Sequence, residues 1–210
     1  MLNHSLAQPV SVFNGMQTVS TKIYNYGYYP LIKGDIAPVS LLDKDLSISL
    51  QHYFDLHQPL VVVFLSSSLV NSDSLRALSK LQLKVQEGGG NLVLVTNNNS
   101  REFKRAINEI NNLSVFFDRD NEIAEQFKLY DYANPLVNWL SGIDDDNISL
   151  PALYVIAPYR EIVFHHIDYD FNLFSTLQIN KTVVDQLLDA VNTLSTSYSH
   201  LKVWRNKLVS

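Results

Sequence analysis

Residues 60–72 read Leu60-Val61-Val62-Val63-Phe64-Leu65-Ser66-Ser67-Ser68-Leu69-Val70-Asn71-Ser72. The run from Leu60 to Leu65 is apolar throughout, rich in β-branched valine, and shows no alternation. Such a strand is buried on both faces, as in the centre of a sheet built with crossover connections. The serines end it. From Ser72 to Glu87, Leu75, Leu78, Leu81 and Val85 recur at helical spacing and make one apolar stripe. Asn71 or Ser72 suits the N-cap, and Asp73 complements the dipole in the first turn. Gly88-Gly89-Gly90 closes the helix with residues free to take positive φ. The stretch predicts a buried strand, a polar loop and a helix, in that order.

Reading outward, Asn91 to Thr96 is a second buried strand. Asn97-Asn98-Asn99-Ser100 predicts a loop that caps a helix carrying Phe103, Ile107 and Ile110. Leu113 to Phe117 reads as a short strand, and Asp118 to Phe127 as a turn and short helix with Ile123, Ala124 and Phe127 inward. Residues 130–149 carry no periodicity. Ala152 to Ala157 and Glu161 to Ile167 read as two strands joined at Pro158-Tyr159, close enough for a hairpin. A last helix is expected from Lys181 to about Ser197, burying Val184, Leu187, Leu188, Val191 and Leu194. Upstream, Val39 to Leu42 and Ile48 to Leu50 flank the polar turn Asp43-Lys44-Asp45, a β-hairpin pattern. A hairpin, then β-α-β-α-β, then β-β-α requires an open sheet, largely parallel, with at least one antiparallel strand.

The bulk composition narrows the function classes. The chain has 210 residues, 46% of them hydrophobic, and a formal net charge of -5. That balance gives no electrostatic reason to expect nucleic acid. No run is long and apolar enough for a membrane span, so no membrane partner is expected. The N-terminus lacks the pattern of a secretory signal, which leads to an expectation of a cytoplasmic protein. There is no cysteine. Disulfides, thiolate metal sites and thiol catalysis are therefore outside this chain's chemistry.

Four blocks resemble the AhpC/TSA, or peroxiredoxin-like, family. Lys33-Gly34-Asp35-Ile36-Ala37-Pro38 resembles its G-D-x-A-P segment. Val61-Val62-Val63-Phe64 with Leu75-Arg76-Ala77-Leu78 resembles the strand and helix that bracket its redox motif. Val115 to Ala124 resembles its F-P-x-x-x-D segment, with Phe117 at the third position. Leu150-Pro151-Ala152-Leu153-Tyr154-Val155-Ile156 followed by Ile162-Val163-Phe164 resembles its late hairpin, and Asp168-Tyr169-Asp170 the end of one branch.

The resemblance implies an α/β, thioredoxin-like fold: three layers, α/β/α, around a central mixed sheet, with an N-terminal β-hairpin and an aromatic extension. It divides the chain into an extension over 1–32, a thioredoxin-like domain over 33–198 and a tail over 199–210. The extension ends in Tyr24-Asn25-Tyr26-Gly27-Tyr28-Tyr29-Pro30, which suits either packing on the domain or covering a partner, including a second copy in a homodimer.

The departures bear on function. The family is one of antioxidant thiol oxidoreductases, and its two cysteine positions fall on Ser68 and Asn71. The tryptophan position falls on Ser67, and the hairpin's Asp-Gly turn on Tyr159-Arg160-Glu161. Phe171-Asn172-Leu173-Phe174 stand where the cationic activator is expected. No catalytic residue is assigned. The resemblance also implies a cis peptide before Pro151. A groove is expected from Ser66, Ser67, Ser68, Asn71, Leu150 and Pro151, holding a protein segment or a small ligand, without a cofactor.

Ser68 is a poor substitute for the thiol. A hydroxyl needs an adjacent base and cannot pass through a sulfenic acid. His166 and Asp168 share a strand face, but two ligands are too few for a metal site. Asp144-Asp145-Asp146 lacks the alternate spacing of a calcium loop and reads as a solvated turn. The leading expectation is a redox-inactive pseudoenzyme that binds through the family's groove. The alternative is an enzyme with non-thiol chemistry at that groove.

Overall fold

The computed structural model describes residues 28–38, 53, 57–66, 72–98, 100–108, 113–140, 143–171 and 181–208. Its strands are β1 (Leu60–Phe64), β2 (Asn91–Thr96), β3 (Ser114–Phe117), β4 (Ala152–Ile156) and β5 (Ile162–Ile167). They form one five-stranded sheet in the order β3-β2-β1-β4-β5. β1 pairs parallel with β2, and β2 parallel with β3. β4 runs antiparallel to both β1 and β5. The helices are α1 (Ser72–Glu87), α2 (Arg101–Asn108), α3 (Glu122–Gln126) and α4 (Lys181–Leu208), with a 3-10 turn at Leu136–Asn138. The mixed α/β sheet expected from the element order is present. The expected hairpin over 39–50 and Ile110 lie outside the described residues.

Alternation along each strand divides the core in two. On one face Val61, Val63, Leu65, Leu92, Leu94, Leu153 and Val155 meet Leu75, Leu78, Leu81 and Val85 of α1, Phe103 of α2, and Leu187, Val191 and Leu194 of α4. On the other face Leu60, Val62, Phe64, Val93, Val95, Phe116, Ala152 and Tyr154 meet Ile123, Ala124 and Phe127 around α3, Leu136 and Tyr28. Burial on both faces is the reason the valine-rich run of β1 carries no polar alternation. The longer helices thus share one face, while α3 and irregular segments cover the other.

The glycines after α1 play two roles. Only Gly89 takes positive φ (78°), ending the helix as expected. Gly88 and Gly90 instead admit α4. A Cβ on Gly88 would stand 2.7 Å from Asn192 Oδ1, and one on Gly90 3.0 Å from Val191 Cγ1. Arg160, in the turn between β4 and β5, has φ 77°, the left-handed conformation for which glycine is the better residue.

One expectation about the chain ends needs correction. α4 does not stop near Ser197 but continues to Leu208, so most of the stretch expected to be a tail is helical. The hydroxyls of Ser195, Thr196 and Ser197 donate to the carbonyls of Val191, Asn192 and Thr193, four residues back, at 3.0, 2.9 and 2.8 Å, which helical continuation accommodates. At the other end, Tyr28 packs into the core, and Tyr24 to Gly27 lie outside the described residues. Its hydroxyl donates to the Asn134 carbonyl (3.0 Å) and its ring meets Trp139 edge-on at 5.3 Å. Among the described residues no helix is long and apolar enough to cross a membrane.

Candidate functional site

In an open α/β sheet, ligands bind at the carboxyl ends of the parallel strands. Here β1, β2 and β3 end at Phe64, Thr96 and Phe117, and antiparallel β4 begins beside them at Ala152. Ser66, Asn97, Asp118, Ser149, Leu150 and Pro151 follow or precede those ends directly. Three of the sequence-derived candidates, Ser66, Leu150 and Pro151, are therefore brought to one edge. Ser67, Ser68 and Asn71 lie outside the described residues.

The described part of this edge is a closed seam. Ser66 is 1% exposed and Ser149 5%. The Ser149 N–H donates to Ser66 Oγ at 2.9 Å, and Ser66 Oγ stands 3.0 Å from the Ser149 carbonyl, to which it donates. The two hydroxyls are 3.2 Å apart. Ser66 thus continues the β1–β4 pairing with its side chain where the backbone ladder ends. Leu150 and Pro151, next in the chain, are buried. The peptide before Pro151 is trans, since no cis bond occurs among the described residues. The implied cis geometry is corrected on that ground. The ordinary preference of an X-Pro bond is retained, and the Pro151 carbonyl accepts from Asp168 N–H at 2.9 Å.

Removing the Ser66 hydroxyl leaves a buried N–H and C=O of Ser149 without their partner. Ser66→Ala is expected to cost about 1–3 kcal/mol and to raise hydrogen exchange at the Ser149 amide before the rest of the sheet. A variant with unchanged denaturation midpoint and unchanged exchange there would contradict the seam.

A second polar cluster was not singled out in the sequence. Asn97 Nδ2 donates to the Asn147 carbonyl. Asn121 Nδ2 donates to the same carbonyl at 3.0 Å and to Asn147 Oδ1 at 2.6 Å, and Asn147 Nδ2 donates to the Arg119 carbonyl at 3.1 Å. Three asparagines thus tie the ends of β2 and β3 to the loop before β4. Asn121 holds φ 54°, a conformation asparagine tolerates better than most residues. Beside them Asp118 is buried, and its carboxylate accepts from Ile123 N–H (3.0 Å) and Ala124 N–H (2.9 Å), capping the short α3. Burial pushes its pKa up, against the pull of those two amides. Both oxygens are committed to backbone, which leaves Asp118 a structural cap rather than a base for Ser66. The signal in sequence was the Asn97-Asn98-Asn99 run at the end of a buried strand. Its partner Asn147 is too distant in sequence to be paired by pattern.

The remaining candidates are dispersed. His165 and His166 lie on β5 opposite Tyr154 and Leu153. Burial lowers both pKa values, and His166 adds to the effect on His165. Asp144, Asp145 and Asp146 are exposed, in a loop fastened by Asp145 Oδ1 to Asn147 N–H at 2.9 Å. Among the described residues no three His, Cys, Asp or Glu side chains converge as a metal site would need. A recess of about 790 Å³ lies away from the seam, along α1, lined by Arg76, Lys80, Lys84 and Leu83 with Val184 of α4. The seam itself offers hydroxyls, amides and buried apolar surface, with no activated nucleophile among its described residues.

Comparison with solved structures identifies the architecture. Peroxidoxin BcpB from Mycobacterium tuberculosis superposes with a TM-score of 0.57 at 12% identity, over 78% of this chain and 98% of that one. The mitochondrial 2-Cys peroxiredoxin of Plasmodium falciparum gives 0.53 at 12% identity, over 75% and 94%. The yeast mitochondrial 1-Cys peroxiredoxin gives 0.51 at 14%, over 72% and 78%. These likenesses show a thioredoxin-like fold. A search of curated proteins found no match. The AhpC/TSA family model matches residues 34–165, from the segment against β5 into β5 itself. Over that span, and with this sheet, the chain belongs to the AhpC/TSA family.

Proposed function

We propose that this chain is a redox-inactive member of the family that acts by binding. Its site is the carboxyl edge of the sheet, formed by residues 66–71 with Leu150 and Pro151. The observation that carries the reading is the absence of cysteine from the whole chain, with Ser68 and Asn71 at the positions where the resemblance places the thiols. Without a thiol, no residue can cycle through a sulfenic acid and back. The proposed occupant is an extended peptide docked beside the Ser66–Ser149 seam, with backbone groups supplying its hydrogen bonds. Ser66, Leu150 and Pro151, all buried, would support the site rather than touch the occupant.

Two measurements test the proposal. Metal-free protein with hydrogen peroxide and dithiothreitol is expected to show no turnover above buffer, and saturable peroxide reduction would overturn redox inactivity. Peptides selected from a random display library are expected to shift the amide resonances of Ser66, Ser149 and Leu150. Selected binders that leave those signals unmoved would remove the site from this edge.

A further inference from the structure

We propose that His165 is a proton-operated latch: its neutral imidazole holds segment 31–37 on the outer edge of β5, and protonation loosens that segment and uncovers the edge. The Lys33 N–H donates to His165 Nδ1 at 3.0 Å. A ring nitrogen that accepts carries no proton, whereas both nitrogens of the charged ring are donors. Protonation would therefore set two N–H groups against each other at this contact.

β5 is the last strand of the sheet. An edge strand presents unpaired backbone groups, and this segment covers part of them. Gly34 N–H donates to the Ile162 carbonyl (2.8 Å), Ile162 N–H to the Asp35 carbonyl (2.9 Å), and Ala37 N–H to the Arg160 carbonyl (2.8 Å). Leu31 N–H is anchored separately on the Phe127 carbonyl at 3.1 Å. Between Leu31, which packs against the core, and Ala37, which is buried in it, apolar burial adds little, because Ile32 is 49% exposed and Ile36 55%. Polar contacts hold the stretch between those two anchors, and the one at Lys33 depends on protonation.

The charged and titratable groups around the ring act in both directions. Burial disfavours the charged ring, and His166 beside it on β5 does the same. Asp35 of the covering segment favours the charged ring, but its Oδ2 already accepts from Ile32 N–H at 2.8 Å. Tyr154 faces His165 from β4 and is held neutral by burial. From the segment itself Lys33 meets the ring through its backbone N–H. The balance lowers the pKa of His165 in the folded protein. The latch is thus fully closed above the free-imidazole value of about 6.5. Its contribution is lost as pH falls from there through the folded value.

The test is NMR on the full chain between pH 8 and pH 5. At pH 8 the His165 ring is expected to carry its proton on Nε2. Protection of the Lys33 amide, corrected for intrinsic exchange, is expected to fall by up to about tenfold per pH unit below about 6.5. The Leu31 amide should keep its protection. His165→Asn retains an acceptor near the Nδ1 position and should abolish the pH dependence with the segment still protected, while His166→Asn should leave that dependence in place. A proton on Nδ1 at pH 8, pH-independent protection of Lys33, or a pH dependence that survives His165→Asn would each overturn the latch. The ring assignment is made on the unaltered protein, so it decides the matter even if a variant fails to fold.

Discussion

Phe127→Ala is expected to lower stability by about 3–5 kcal/mol, the range for removing a fully buried phenylalanine. Phe127 is fully buried, with its ring centroid 4.8 Å from Phe64 on β1 and 5.1 Å from Tyr154 on β4. It therefore joins the segment after α3 to two central strands. Its carbonyl also anchors Leu31, so loss of its packing should reach the N-terminal segment. A domain of this size has about 5–15 kcal/mol in total, and the variant should unfold at a much lower denaturant concentration. Tyr154→Phe supplies the contrast. That ring is equally buried, and its hydroxyl has no hydrogen-bond partner among the described residues. Deleting the hydroxyl should leave stability unchanged or raise it by about 1 kcal/mol. A midpoint for Phe127→Ala within error of the parent would mean that the aromatic cluster is not packed as described.

The sheet was legible in the sequence because its strands are local and extreme. Leu60 to Phe64 and Asn91 to Thr96 are valine- and leucine-rich runs, buried as read. The ends of α1 were legible for similar reasons, since a capping residue and a glycine are local signals. The C-terminal end of the last helix was not legible, because the sequence after Ser197 is of mixed character and extends no clear apolar stripe. Ser195, Thr196 and Ser197 satisfy their hydroxyls on the helix itself, which permits its continuation. The glycine triplet was half understood. Its role at Gly88 and Gly90 is an approach distance to α4, which only the fold creates.

The candidate site was legible as a location more than as an arrangement. Ser66, Leu150 and Pro151 could be placed at one edge by resemblance, but the Ser66–Ser149 seam depends on the β1–β4 register. The same limit hid the asparagine cluster, whose members come from three separate loops. His165 stands beside His166 on a predicted strand and carries no further signal in sequence. Its acceptor role depends on the Lys33 amide, which comes from a segment far away in the chain.

Under the proposed function, Ser68→Cys should restore a thiol without restoring turnover. α1 begins at Ser72 and carries Asp73 in its first turn, so the helix that follows the loop starts where the resemblance requires. Free amides at a helix N-terminus favour a nearby anion. If Ser68 occupies the family's thiol position, the new thiol should ionise about one unit below the free-cysteine value of about 8.5. Thiolate absorbance against pH measures this directly. Peroxide reduction needs more than a thiolate. Once oxidised, the sulfur must meet a second thiol, and the corresponding position is Asn71. Phe171 to Phe174 also supply no cation where the resemblance expects one. Reaction with peroxide should therefore stay at the slow rate of an unassisted thiolate. A thiol pKa at or above the free value would detach Ser68 from the family position. Rapid saturable turnover would show that the scaffold had kept its activating groups and had lost only the sulfur. In that case the chain would be an enzyme disabled at one atom, and binding would no longer be needed to explain its fold.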